Sequence, residues 1–337
     1  MYKVNLIFFM KYRKFSDLNW KVSEVGLGCW QIGWCWGDVT DLTAKDLLKK
    51  ALDLGINFFD TSDTYGDGRS ERFLKEILRS SSEKIFVSTK LGRRIRGTNY
   101  PKGYKQDPME EFIDRSLINL GVEQIDLVQL HCPPVEICSK KETFEMMDEF
   151  VKKGKIANYG VSVYNLSEAI ESIKFPNVKS IQLVFNIFRQ RPAEFFLKEA
   201  RKKNIAIIAR GPLASGLLGG EMTKDTQFAE NDHRNYNIIG EAFDVGDTFS
   251  GVNYEKGLIA AEELKKILPK NYSLSGLALK WILMHDDVTV VIPGAINANQ
   301  VQNNASVSEQ EDISELLPKI KSIYEQFIKT DVHNRWL

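Results

Sequence analysis

The sequence has no excess of either charge. Lys plus Arg and Asp plus Glu number 45 each in 337 residues. No global basic field therefore points to nucleic acid or an anionic membrane as a partner, and function has to sit in a local site. Cysteine is scarce as well. Cys29, Cys35, Cys132 and Cys138 are too few for a disulfide framework and lack the CxxC spacing of a zinc site. A reduced, cytoplasmic setting without a bound metal is expected. Long apolar runs are missing at the N-terminus, where MYKVNLIFFMKYRK holds only LIFFM, too short for a signal peptide or a bilayer span. The chain is read as soluble. Met10 opens a stretch able to start a chain by itself, so residues 1–9 are read as an upstream extension without structural role.

No Pro/Gly/Ser linker interrupts the chain either, and a single domain is expected. What is present is 43% hydrophobic and 27% charged residues, the balance of a globular protein with a sizeable core. Eight apolar or alternating runs of strand length recur: SEVGLGC, INFFD, KIFVSTK, IDLVQLH, IANYGVS, VKSIQLVFN, IAIIAR and VTVVIPG. Amphipathic helical stretches separate them. Asp107 with Pro108 and Glu110, Ser139 with Glu142, and Asn165 with Glu168 have capping spacing, while Gly121 and Gly154 stand where helices end.

Strand then helix, eight times over, predicts an α/β fold with a parallel sheet closed into a (β/α)8 TIM barrel. An open dinucleotide-binding sheet is disfavoured, because no GxGxxG follows an early strand. The expected division is an N-terminal extension and capping segment over 1–20, the barrel over 21–330 and a C-terminal tail over 331–337.

In such a barrel the chemistry sits where strands end. The second strand ends at Asp60, the third at Lys90 and the fourth at His131, with Tyr65 in the loop after the second. Each alone is weak, since DTSDTYG is also a good turn and a lone Lys is usually solvated. At three successive strand ends they can meet. A phenol of ordinary pKa about 10, brought toward neutrality by a lysine cation beside it, can protonate a carbonyl oxygen, with Asp60 orienting Lys90 and His131 a neutral donor. The remaining rate would come from a hydride donor, which implies a nicotinamide cofactor.

These residues resemble the catalytic tetrad of the aldo-keto reductase family, and the likeness runs from KVSEVGLG at 21–28 to the last helix. The resemblance implies reversible reduction of a small-molecule carbonyl with cofactor binding first. It implies that Ser162 and Gln182 hold the nicotinamide carboxamide, although Val163 stands where an Asn often follows that Ser. Arg210 takes the place of a stacking aromatic, or makes a rim ion pair. Gly211, Pro212, Leu213, Ser215, Gly216 and Leu217 would line the pyrophosphate, with 213–253 as the long loop after strand seven that closes over the cofactor. Gly294, Gln300, Asn303 and Asn304 would meet the adenosine end.

Residues 293–318 hold neither Lys nor Arg, so NADP(H) is only slightly favoured over NAD(H), on family habit. In CWQIGWCWGD, Cys29 and Trp30 lie near the nicotinamide position, and Trp30, Trp34 and Trp36 would wall the substrate pocket; ordinary packing of the barrel mouth explains them equally well. The run LGRRIRGTNYPKGYKQ at 91–106, with five basic residues and no acid, offers an anion site or a solvated loop. Two other functions stay open: a Schiff-base lyase using Lys90, and a regulatory or sensor subunit that keeps the barrel and the cofactor. Oligomeric state is not legible.

Overall fold

The computed structural model describes residues 9–33, 39–95 and 97–337; the reading of residues 1–8 lies outside these. An antiparallel hairpin, β1 (Tyr12–Lys14) and β2 (Lys21–Ser23), precedes eight parallel strands. They are β3 (Leu27–Gly28), β4 (Phe58–Asp60), β5 (Phe86–Leu91), β6 (Ile125–His131), β7 (Ile156–Ser162), β8 (Val178–Val184), β9 (Ala206–Arg210) and β10 (Val290–Val291). Seven fall within the expected runs, and β5 runs one residue past KIFVSTK, to Leu91. The sheet runs from β3 to β10 in chain order and closes on itself, because Val25 bridges Val291 and Gly28 bridges Gly294 in parallel. The barrel is thus the expected (β/α)8 fold.

Residues two apart on a strand share a face, and the inward faces change character from bottom to top. At the N-terminal end Phe58, Phe86, Leu127, Ile208 and Val290 form an apolar cluster with Phe15 and Val22 of the hairpin segment. Trp20 stacks on Phe86 at 4.6 Å. The hairpin plugs the bottom of the barrel and crosses position 20, so the capping segment and the barrel share it. Two residues further along the strands come buried Asp60, Ser88, Gln129 and Gln182. Above those stand Lys90, His131, Ser162 and Arg210. The apolar plug closes one end, and the polar inward positions all open toward the other.

The surrounding helices bury the stripes that their spacing predicts. The helix Arg69–Ser80 buries Phe73, Leu74 and Ile77. Asn165 and Glu168 form the expected capping box, and Gly121 closes its helix in the left-handed conformation at φ 65°. Two starts differ. The helix Gln106–Leu120 is preceded by Lys105, so Asp107 and Pro108 lie inside its first turn, where proline is tolerated. Ser139 ends the short helix Val135–Cys138 instead of opening Lys141–Lys152, its N–H being taken by Val135 O at 3.0 Å.

Candidate active site

β4, β5 and β6 are adjacent, and they bring Asp60, Lys90 and His131, at or next to their last positions, together. Lys90 Nζ donates to Asp60 Oδ1, to Thr61 O at 2.8 Å and to the Tyr65 hydroxyl at 3.3 Å. The ammonium also lies 5.0 Å from the Tyr65 ring centroid. His131 meets Tyr65 edge-on with ring centroids 6.2 Å apart. Its Nδ1 is 3.2 Å from Ser62 Oγ. The four expected groups therefore converge. The second oxygen of Asp60 is held too: Gln182 Nε2 donates to Oδ2 at 2.7 Å and Gln129 Nε2 at 3.3 Å. A buried carboxylate whose lone pairs are filled this way cannot swing away from Lys90.

Burial opposes the charge of Lys90, but Asp60 and Tyr65 outweigh it and raise its pKa. Tyr65 departs from the sequence expectation. Burial raises its pKa above 10 more strongly than Lys90 lowers it, so the phenol stays protonated in this state instead of sitting near neutrality. Burial, reinforced by Arg93, Lys90 and Arg210, holds His131 well below the usual imidazole range. The imidazole is neutral and bears one proton. If the Ser62 hydroxyl donates its hydrogen bond to Nδ1, the ring's own proton sits on Nε2. Burial likewise pushes the thiols of Cys29 and Cys132 up, which leaves neither a reactive thiolate.

These groups stand at one end of a cavity of about 1310 Å³. Of the expected cofactor residues, Cys29, Trp30, Ser162, Gln182, Arg210, Gly211, Pro212, Leu213, Ser215, Gly216, Gly294, Gln300, Asn303 and Asn304 all line it. Leu217 does not: it is buried and packs toward Gly257, where an added Cβ would meet Leu217 Cδ1 at 2.6 Å. Trp34, Trp36 and Cys35 lie outside the described residues. Gln182 has less freedom than expected, since its Oε1 accepts from Ser162 Oγ at 3.2 Å while its Nε2 serves Asp60. Arg210 pairs with Asp247, donates to Val163 O at 3.1 Å and lies over the Tyr164 ring at 5.4 Å. The rim ion pair foreseen for it is present.

The segment 211–251 is built into the fold at several points. Asn186 Nδ2 donates to Gly211 O at 2.7 Å and Ser250 Oγ at 2.8 Å, and the N–H of Phe249 to Ser215 Oγ at 3.0 Å. Its backbone is left-handed at Gly211, Ala214, Ser215 and Gly216. This irregular, polar stretch between the tetrad and Asn303 suits an elongated dinucleotide. Arg234 also lines the cavity, near enough to Gly216 that a Cβ there would lie 3.5 Å from its Nη1. Its guanidinium is paired with Asp232, Nη2 lying 2.6 Å from Oδ2 and Nε 2.9 Å from Oδ1.

Sequence reasoning missed Gln129, Ser62, Arg234 and Asp247. Gln129 was within reach, because it stands two residues before His131 and shares its face. Among the described residues no group of three His, Cys, Asp or Glu is placed to hold a metal ion, and no helix is long and apolar enough to cross a membrane.

A model described as the aldo/keto reductase family matches residues 24–325. The chain is 29% identical over 328 residues to the uncharacterized oxidoreductase YqkF of Bacillus subtilis, covering 96% of this chain and 98% of that one. It is also 29% identical over 315 residues to a probable voltage-gated potassium channel subunit beta of Oryza sativa, covering 88% and 90%. Among solved structures, the glycerol dehydrogenase AKR11B4 from Gluconobacter oxydans superposes with a TM-score of 0.76 at 28% identity, covering 96% of this chain and 97% of that one.

Proposed function

The chain belongs to the aldo/keto reductase family, and we propose that it moves a hydride between a nicotinamide cofactor and the carbonyl carbon of an aldehyde, ketone or sugar, with Tyr65 as general acid. The observation that carries this reading is the buried contact of Lys90 with both Asp60 and the Tyr65 hydroxyl, His131 beside them.

When bound, the nicotinamide supplies the hydride. Tyr65, kept protonated by burial, gives its proton to the carbonyl oxygen as negative charge develops there. Lys90, kept charged by Asp60, stabilises the phenolate left behind. His131 donates from Nε2 and aligns the carbonyl, with Ser62 fixing that tautomer. Ser162 and Gln182 would hold the carboxamide, and the plane of Arg210 would lie against the ring, with Cys29 and Trp30 nearby. Gly211, Pro212, Leu213, Ser215 and Gly216 would follow the pyrophosphate, and Gly294, Gln300, Asn303 and Asn304 the adenosine. Trp30 would wall the substrate side. NADP(H) is slightly favoured over NAD(H), on family habit.

A Schiff-base mechanism is disfavoured by the same geometry, since a nucleophilic lysine must be neutral and Lys90 is paired and held charged. The regulatory reading has support in the likeness to the rice channel subunit, at the same 29% identity as the bacterial oxidoreductase but over a shorter span, 315 residues against 328. An assembled tetrad favours catalysis.

Tyr65→Phe should lower kcat/KM for aldehydes by about 10²- to 10⁴-fold while titrations with NADPH and NADH give nearly the wild-type affinities. Turnover retained in that variant would remove Tyr65 as the acid. Tight cofactor binding with no turnover in the wild type would favour the regulatory reading.

A further inference from the structure

Three cations face the tetrad end of the cavity, and two are neutralised in place: Lys90 by Asp60 and Arg210 by Asp247. Arg93, three residues beyond Lys90, lines the same cavity. Among the described residues no carboxylate pairs with it, and its Nη1 donates to the Tyr164 hydroxyl. The guanidinium lies 5.6 Å from the ring centroid of Tyr100 and 5.5 Å from that of Tyr164.

The surrounding aromatic wall is continuous with the catalytic one. Tyr100 donates to Cys132 O and Tyr104 to His131 O at 2.6 Å. Glu168 also lines the cavity, but its oxygens are engaged. Oε2 accepts the N–H of Tyr164 at 2.8 Å and of Asn165 at 3.0 Å, and Oε1 accepts Asn165 Nδ2 at 2.7 Å.

A partly desolvated guanidinium between two electron-rich faces is favourably placed, yet ring quadrupoles do not cancel its charge. It keeps N–H donors in fork geometry, which match the oxygens of a carboxylate or phosphate. We propose that Arg93, clamped by Tyr100 and Tyr164, is an anion subsite, and that the preferred substrates carry a carboxylate or phosphate on the same small molecule as the reacting carbonyl. The inference rests on the oxidoreductase reading for the carbonyl's place at Tyr65 and His131. The anion subsite itself rests on Arg93 alone.

The test compares kcat/KM within two pairs: 4-oxobutanoate against its methyl ester, and glyceraldehyde 3-phosphate against glyceraldehyde. Wild type should prefer the anionic member of at least one pair by about 10- to 100-fold, the range of one charge-assisted contact, and the preferred pair tells carboxylate from phosphate. In Arg93→Met that ratio should collapse toward one, and Arg93→Lys should recover part of it. A wild-type ratio near one in both pairs, or a ratio that survives Arg93→Met, overturns the subsite; a merely structural arginine would depress both members together.

Calorimetric binding of 4-hydroxybutanoate and glycerol 3-phosphate to the NADP⁺-saturated protein separates the two readings. Arg93-dependent binding without turnover of any carbonyl keeps the subsite and removes the reductase. Turnover of the neutral aldehydes without Arg93-dependent binding of either anion does the reverse.

Discussion

Asp63 stands two residues before Tyr65 in the same turn, fully buried, with its Oδ1 3.3 Å from Ser62 Oγ. Among the described residues its Oδ2 has no partner. Burial, with Glu71 adding and Arg94 and Arg115 opposing, pushes its pKa up to about 8. The two arginines spend their charge on Asp67, at 2.6 and 2.8 Å. The folded protein thus keeps a proton on Asp63 through the middle of the pH range, whereas the unfolded chain loses it near the ordinary value of about 3.9. That stabilisation is fully present below about pH 4. It is lost as pH rises toward 8, by on the order of 1.4 kcal/mol per unit. Asp63→Asn should lack this slope, so its stability relative to wild type should rise from pH 5.5 to pH 8.5 in parallel urea titrations. An unchanged difference would show that Asp63 is not held as the neutral acid. The same burial keeps Tyr65 protonated and His131 neutral. Lys90 with Asp60 is then the charged pair on which the tetrad turns.

Strands β7 and β8 show what the sequence pattern reveals and what it hides. Their register shifts between Tyr159 and Val161, and the residue between is Gly160, where an added Cβ would meet Ser180 Oγ at 2.0 Å and Ser180 O at 2.6 Å. Gly160→Ala should cost about 1–3 kcal/mol of stability by overpacking. Adding Ser180→Ala should return only part of it, because the backbone oxygen remains. Full rescue would show that the side chain alone sets the requirement. IANYGVS was legible as a strand from its apolar alternation, and Ser162 followed as a residue at its end. The irregularity at Gly160 was not, because it depends on which strand lies alongside. The tetrad was legible for a related reason: Asp60, Lys90 and His131 lie at the C-terminal ends of consecutive strands, so chain order is spatial order. Asp247 and Arg234 come from single helical turns, Val245–Asp247 and His233–Tyr236, too short to show a period. Leu217 was misplaced because the ASGLLG turn over Ala214–Gly219 sends neighbouring residues in different directions. The protonation of Tyr65 depends on burial, which one sequence does not state.

At the scale of the whole molecule, the chain's two ends do different work. The N-terminal hairpin plugs the barrel bottom, and the C-terminal tail reaches the loop at the top. Trp336 Nε1 donates to Asp244 Oδ1 at 2.9 Å, the guanidinium of Arg189 lies 3.5 Å from its ring centroid, and the N–H of Leu166 donates to Trp336 O at 3.2 Å. The indole fits against Gly246 and Gly251, where an added Cβ would approach it to 2.9 and 2.2 Å. Asp244 caps the short turn Val245–Asp247, and Asp247 is the counter-ion of Arg210. The tail is thereby tied, through one turn of the loop, to a residue proposed to lie against the nicotinamide. Loop opening commonly limits release of a ligand held beneath it, and removing a latch lowers the barrier to opening more than it changes the chemistry. Trp336→Ala should therefore raise the dissociation rate of NADPH by about tenfold, the effect of some 1.4 kcal/mol, as read by stopped-flow fluorescence. Tyr65-dependent reduction in a single turnover should change far less. If the variant melts earlier but releases cofactor at the wild-type rate, the indole is packing alone and the tail has no hold on the loop.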